Sequence, residues 1–280
     1  CVMRKDGTRV TEIDATHKIM PYLMKNRCEA EVYTTETIDI TKLLEYLDQL
    51  SENKEQKITL FHAVITAMAK TIYNKPLLNR FVAGKRFYDR NNISFSFVAK
   101  NKLEENAEER LIILKTNYDM NLLDVSNKIL SLVNKTKKEN SNEMNNTLSF
   151  VTSFPRCIVN IIMWAFRKLD YYGLVPKSIS DTDPNYTSVL ISNLGSIKCD
   201  SCYHHLNNYG TNSIVATIGV IKETKEKRNI RKTVDISLTL DERIADGFYF
   251  AKSIKLFKYI LENPELLNDE LSTKINFENK

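Results

Sequence analysis

The side chains whose types could do chemistry gather in three short stretches of the C-terminal third. "DERIADG" (Asp241–Gly247) sets acids on both sides of an arginine, between a strand-like alternation and an amphipathic helix. "LISNLGS" (Leu190–Ser196) places Ser192 where an apolar run gives way to a turn, and "CDSCYHH" (Cys199–His205) brings two thiols and two imidazoles together. The residues alone allow plain structural readings. Asp246 with Gly247 reads as a turn and helix N-cap, and Ser192 as a turn-forming serine at a strand end. Glu242 beside Arg243 reads as an ion pair that holds the loop. The Cys/His stretch resembles half of a zinc site, but a closed structural site usually draws its ligand pairs from two separated segments. Only the isolated His17 and His62 remain elsewhere, so no metal is expected.

The glycines exclude other chemistry. Gly7, Gly84, Gly173, Gly195, Gly210, Gly219 and Gly247 are too scattered for G-x-G-x-x-G or for a P-loop. Dinucleotide and nucleotide binding by those backbone-amide cradles is therefore not available.

The elements that must carry these residues can be read from periodicity. "EAEVYTTETIDIT" (Glu29–Thr41) is β-rich, and Thr41 is placed to cap a helix whose stripe is Leu43, Tyr46, Leu47 and Leu50. Residues 59–74 predict a central helix, apolar nearly all round and closed by Pro76. "NNISFSFVAK" and "LIILK" (Leu111–Lys115) predict strands, the first alternating Ile93, Phe95 and Phe97 with polar partners. A helix is expected over about 122–137, followed by an exposed polar loop, "KKENSNEMNN". Pro155 opens another helix that ends before Gly173. Its apolar run, Cys157–Phe166, is about half of the ~20 residues a bilayer crossing takes, so it reads as a buried helix. Strands are expected at 188–192, 213–221 and 233–240, with the charged "KETKEKRNIRK" (Lys222–Lys232) as a solvated hairpin tip, and a last helix at 248–262. No repeat or composition break divides the chain, and one domain over residues 1–280 is expected.

Bulk composition agrees. The 280 residues are 42% hydrophobic and 27% charged, ordinary for a globular protein. A net charge of +5 from 40 basic and 35 acidic side chains is too mild and too mixed to suggest nucleic acid. Cys1, Cys28, Cys157, Cys199 and Cys202, an odd set at irregular spacing, suggest reduced thiols in a cytoplasmic protein. No secretory signal is evident, no membrane association is expected, and a start at Cys1 rather than Met reads as a trimmed N-terminus.

Taken together, the motifs and their flanking helices resemble the catalytic domain of dihydrolipoamide acyltransferases, the cores of 2-oxo acid dehydrogenase complexes. Chloramphenicol acetyltransferase shares that fold. "ETIDITKLLEYLDQL" is similar to the family's "evDvt-ll" opening, "FHAVITAMAKTIYNKPLLNRF" to its "kA-a-Al---P-lN" helix, and "ISNLGS" to its "ISNLG" turn. "LTLDERIADGFYFAKSIKLFKYILENPELL" is similar to "L-yDHRvvDGa--a-Fl--lk--LenPe-ll", with Glu242 in place of the histidine. The resemblance implies an α/β fold: a two-layer sandwich of the CoA-dependent acyltransferase kind, with a mixed sheet and helices on one face. It implies acyl-CoA as cosubstrate and a homotrimer, or a larger cage, with the active-site channel between subunits. By position it implies Ser192 as oxyanion donor, Asp246 as the brace of the loop, with Arg27 a candidate partner, and Glu242 at the place of the base. His204 and His205 are alternative imidazoles should their loop reach the cleft. No lipoyl or peripheral-subunit-binding domain is expected in these residues. "YYGLVPKSIS" (171–180) is only superficially like the family's "GLvvPv" segment, since it follows the apolar helix.

The exchange of histidine for glutamate has a cost. Acyl transfer needs a base for the acceptor's proton and a donor for the tetrahedral oxyanion. Moving a thiol proton, pKa ~8.5, to glutamate, ~4.3, is uphill by about 6 kcal/mol, against about 3 kcal/mol for histidine, ~6.5. That difference alone predicts ~100-fold slower transfer. Burial of the carboxyl could close the gap. Two functions from different classes therefore stand: an acyltransferase with an altered base, and an inactive scaffold or CoA-binding protein that retains the fold.

Overall fold

Alternating side chains in the late strands decide the architecture. The computed structural model describes residues 4–52, 57–100, 109–138, 149–226 and 229–277. A six-stranded mixed sheet is built from β2 (Glu31–Asp39), β5 (Ile93–Lys100), β6 (Glu109–Thr116), β7 (Val189–Asn193), β8 (Ile214–Glu226) and β9 (Asn229–Asp241). Its order is β2-β9-β8-β7-β5-β6. The β7 strand runs parallel to both neighbours, whereas the β2–β9, β8–β9 and β5–β6 pairs are antiparallel.

Period two gives this sheet one apolar face. Val234, Ile236, Leu238 and Leu240 of β9 lie on it with Ile214, Ala216 and Ile218 of β8, Val189 and Ile191 of β7, and Phe95 and Phe97 of β5, all buried. Helices α2 (Thr41–Ser51), α3 (Leu60–Asn74), α4 (Leu122–Lys138) and α6 (Gly247–Glu262) contribute to the same core. Every residue of α3 from His62 to Ile72 is buried, as a helix apolar on all sides requires. Within it Lys70 is fully buried, and its ammonium donates to the carbonyls of Asp269 (3.2 Å) and Glu270 (2.7 Å), tying the C-terminal segment to the central helix.

The structure differs from expectation in several places. Thr41 does not cap α2; Asp39 accepts from its amide (3.0 Å) and its hydroxyl (2.7 Å) instead. Residues 222–226 and 229–232 do form the solvent-exposed end of a hairpin as expected, with the β8–β9 ladder carried out to Glu226↔Asn229. Most of the polar stretch 137–146, and Cys1, lie outside the described residues.

A second sheet, of three strands in the order β1-β4-β3, was not anticipated: β1 (Gly7–Arg9), β3 (Arg80–Ala83) and β4 (Arg86–Arg90). Its hairpin turns through Gly84 and Lys85, both at positive φ (56° and 58°). A Cβ at Gly84 would also come within 2.2 Å of the Tyr171 carbonyl oxygen, so only glycine fits there. Helix α1 (Ala15–Leu23) lies between β1 and β2 in the chain.

Helix α5 (Arg156–Tyr172) corrects the expectation of a buried helix. It starts after Pro155 and ends before Gly173 as expected, but none of its residues is buried, and Ile161 and Trp164 are 64% and 62% exposed. The sheet's apolar face is already covered by the other helices, so α5 touches the body only along one side, through Phe166 on Tyr209 and Asp170 on Arg4 and Tyr186.

Candidate active site

The DERIADG loop joins β9 to α6 and is fixed at every backbone turn. The Glu242 amide donates to the Ala30 carbonyl (2.9 Å), extending the β2–β9 ladder by one bond. Asp241 is fully buried, and its carboxylate receives the Arg243 amide (3.1 Å), Nε (2.8 Å) and Nη2 (2.7 Å). Arg243 Nη1 donates to the Met24 carbonyl (3.1 Å). A bidentate pair inside the protein is costly to desolvate but rigid once formed. Ile244 and Ala245 point into the core. Asp246 then caps α6, accepting from the Tyr249 amide at 2.7 Å.

This arrangement leaves Glu242 without the neighbour expected to pair with it. Arg243 is committed to Asp241, so the expected Glu242–Arg243 pair does not form. The Glu242 side chain is half-buried and makes no hydrogen bond or ion pair with any described residue. Arg27 does not pair with Asp246 either; its Nη2 donates to the Val82 carbonyl (2.9 Å) and its Nη1 to that of Asn207 (3.5 Å). The brace of the loop is the Asp241–Arg243 pair together with the Asp246 cap.

Ser192 sits on β7, facing away from the helices, in a row of hydroxyls that crosses four strands: Thr35, Ser237, Thr217 and Ser192. The chain from Cys199 to Leu206 covers part of this row. Thr35 is 2.9 Å from Ser237 Oγ and donates to Tyr203 Oη (2.9 Å), Ser237 donates to Ser201 Oγ (2.8 Å), and Thr217 donates to the Cys202 carbonyl (2.5 Å). Ser192 itself has no side-chain bond to a described residue and is half-buried. The turn after it lies directly on β8: a Cβ at Gly195 would meet the Gly219 carbonyl oxygen at 2.4 Å. That contact, beside a β-bulge between Ile218 and Ile221, is why the turn needs its glycine.

Ser192 and Glu242 are not brought together within one chain. Ser192 is level with Thr217 and Ser237, and Glu242 lies farther along β9, past its end. At ~3.3 Å per residue and ~4.8 Å per strand, their backbones are roughly 20 Å apart. The "CDSCYHH" segment forms no cage. His204 stacks on His205 at 4.7 Å, and Cys199 and Cys202 are exposed free thiols. Among the described residues no group of three or more His, Cys, Asp or Glu is placed to hold a metal ion. No helix among them is long and apolar enough to cross a membrane.

Two clefts flank the motif loop. One, of ≈ 200 Å³, is lined by Asp14, His17, Arg80, Asp246 and Tyr249 among others. His17 is isolated in the sequence, but folding brings it to the same cleft as the loop, with Nδ1 2.6 Å from Asp14. The other, of ≈ 260 Å³, shares Arg243 and is lined by Arg27, Lys85 and Arg167.

The family model for the 2-oxoacid dehydrogenases acyltransferase catalytic domain matches residues 6–154 and 176–268. The chain belongs to this acyltransferase family. Its fold is that of solved members. A probable dihydrolipoamide acetyltransferase from Listeria monocytogenes 4b F2365 is 16% identical with a TM-score of 0.58, over 98% of each chain. A truncated catalytic core of the 2-oxoacid dehydrogenase multienzyme complex from Thermoplasma acidophilum is 14% identical at 0.59, over 92% of this chain and 99% of that one. A chloramphenicol acetyltransferase is 12% identical at 0.53, over 92% and 98%. A search of curated proteins returned no match. The two matched stretches of the family model leave out 155–175, the residues that hold α5.

Proposed function

We propose that this acyltransferase-family chain moves an acyl group between coenzyme A and a thiol or small-molecule acceptor, at a site completed between subunits of a homotrimer. Ser192 of one subunit donates to the oxyanion, and Glu242 of the next serves as base or orients the acceptor. Asp246 acts through the loop rather than on the substrate. The observation that carries this reading is the freedom of Glu242: the motif position of the base carries a half-exposed carboxylate on a rigid loop, and the adjacent arginine is engaged elsewhere. The separation of Ser192 from Glu242 within one chain supports a site shared by two. A larger cage, such as the cubic core formed by a pyruvate dehydrogenase relative, is compatible with the same trimer. Exposed free thiols at Cys28, Cys157, Cys199 and Cys202 suit a reducing cytoplasm.

The second reading, a silent scaffold or CoA-binding protein, is favoured by the weaker basicity of a carboxylate. Acetyl-CoA transfer and hydrolysis measured on wild type, Ser192→Ala and Glu242→His separate the two. The transferase reading expects wild-type turnover that falls about 100- to 1000-fold in Ser192→Ala, the usual loss for one oxyanion donor. Silence in the wild type with activity appearing only in Glu242→His would hand the protein to the second reading.

A further inference from the structure

The interior on the motif loop's outer side holds more positive charge than the fold neutralises. Arg4 is satisfied by Asp6 (2.8 Å) and Asp170 (3.0 Å), and Arg243 by Asp241 (2.7 Å). Arg27 is only 6% exposed, has no carboxylate within ion-pair range among the described residues, and keeps its Nε buried without a hydrogen-bond partner. Burial, helped by the charge of Arg243, outweighs the more distant attraction of Asp241 and Asp170 and pulls its pKa down to about 10. A guanidinium held this way is under-compensated, since a buried charge is tolerated when it is paired and fully hydrogen-bonded.

Arg27 lines the ≈ 260 Å³ cleft described above. Lys25, Lys85 and Arg167 line it too, with Arg243 already neutralised by Asp241, so four cationic side chains without such a pair face one space whose single carboxylate, Asp170, is already engaged by Arg4 and Tyr186. Lys85 lies over the Tyr22 ring (4.5 Å) and Lys25 is near Glu29, but neither these nor Arg167 is closed into a salt bridge among the described residues. Asn26 and Asn208 add amide side chains to the same wall. Several converging cations with hydrogen-bonding neighbours suit a multiply charged, compact oxyanion better than a single carboxylate.

We infer that this cleft is a binding site for a phosphate group, in which Arg27 supplies the inner charge and Lys85, Arg167 and Lys25 close over the outer oxygens. The phosphate has two sources of the same chemistry, the phosphate ester of coenzyme A or a phosphorylated acceptor. The cleft adjoins the catalytic loop through Arg243, but the inference does not depend on turnover.

Calorimetric titration of the intact protein with inorganic phosphate tests it. Saturable binding is expected in the wild type, weakened at least tenfold in Arg27→Met and in the double variant Lys85→Asn/Arg167→Gln. The double variant changes only side chains that reach solvent, and asparagine tolerates the positive φ at position 85, so it folds even if Arg27→Met does not. No saturable binding in the wild type, or equal binding in a folded double variant, overturns the site. Coenzyme A and 3′-dephospho-coenzyme A then identify the source. A loss of affinity on removing the 3′-phosphate that disappears in the double variant assigns the cleft to the coenzyme. Equal affinities for the two, with inorganic phosphate still bound, assign it to a phosphorylated acceptor. A site without activity in the acyl-transfer assay would leave the phosphate inference standing and the proposed reaction refuted.

Discussion

Asp241, Glu242 and Arg243 are consecutive, yet they have three different environments. The first and third are buried and paired with each other; the second is left half-open. Asp241→Asn keeps the shape of the side chain and removes its charge, leaving Arg243 uncompensated inside the protein. Urea unfolding should show a loss of about 3–5 kcal/mol. Asp246→Ala, which removes only a helix cap, should lose about 1 kcal/mol in the same measurement. Equal losses would mean that the Asp241–Arg243 pair does not brace the loop. The sequence signalled the loop, its helix cap and the odd glutamate, because each depends on neighbours in the chain. It did not signal which acid would hold Arg243, since Asp241 and Glu242 are equally close in sequence. Strand pleating sends Asp241 toward the buried outer-face network and leaves Glu242 at the strand's end. Nor could it show His17 beside Asp246 or Arg27 without a carboxylate; both depend on how the β1-β4-β3 sheet packs against the loop.

Helix α3 shows how a cap can make stability depend on pH. Thr59 and His62 form a reciprocal capping box, in which His62 Nδ1 accepts from the Thr59 amide at 3.2 Å. That bond requires an unprotonated Nδ1. Burial agrees, pulling the imidazole from an ordinary 6.5 down to about 4. The folded state therefore resists a proton that the unfolded chain takes up below pH 6.5. Stability from this group is present above about 6.5 and lost as pH falls toward 4, by at most about 3 kcal/mol. His62→Gln keeps the box and removes the titration. Unfolding free energies of the two proteins, compared from pH 7 to pH 4, should diverge over that window; parallel curves would contradict a neutral buried His62. Helix α3 was legible because it is apolar on every side and buried throughout, and β9 because its period of two puts one face in the core. The short strands β1, β3 and β4 carry too few residues for a period to show. Helix α5 misled for another reason. Its apolar residues are real, but amphipathicity states that a face wants cover, not that this chain supplies it.

The fold as a whole has a topological consequence for its chemistry. Ser192 and Glu242 lie at opposite ends of the sheet's central strands, so the proposed reaction needs a neighbouring subunit to bring them together. Mixing two inactive proteins, Ser192→Ala and Glu242→Gln, tests this directly. In randomly reassembled trimers the intact serine of one chain meets the intact glutamate of its neighbour at one site in each mixed ring. About one quarter of wild-type activity should return. No recovery, with mixed trimers shown to form, would place the whole site inside one chain. The overall architecture was legible because the family motifs occur in order along the chain, while the assembly of the site depends on surfaces that no single-chain pattern encodes.

Helix α5 falls outside the family pattern, yet its Asp170 receives Arg4 Nη2 (3.0 Å) and the Tyr186 hydroxyl (3.1 Å), and its Tyr171 carbonyl oxygen lies against Gly84. Deleting it would cost more than an exposed helix, since an arginine and a phenol at the edge of the body would lose the carboxylate they share, and the close-packed hairpin beside them would lose its neighbour.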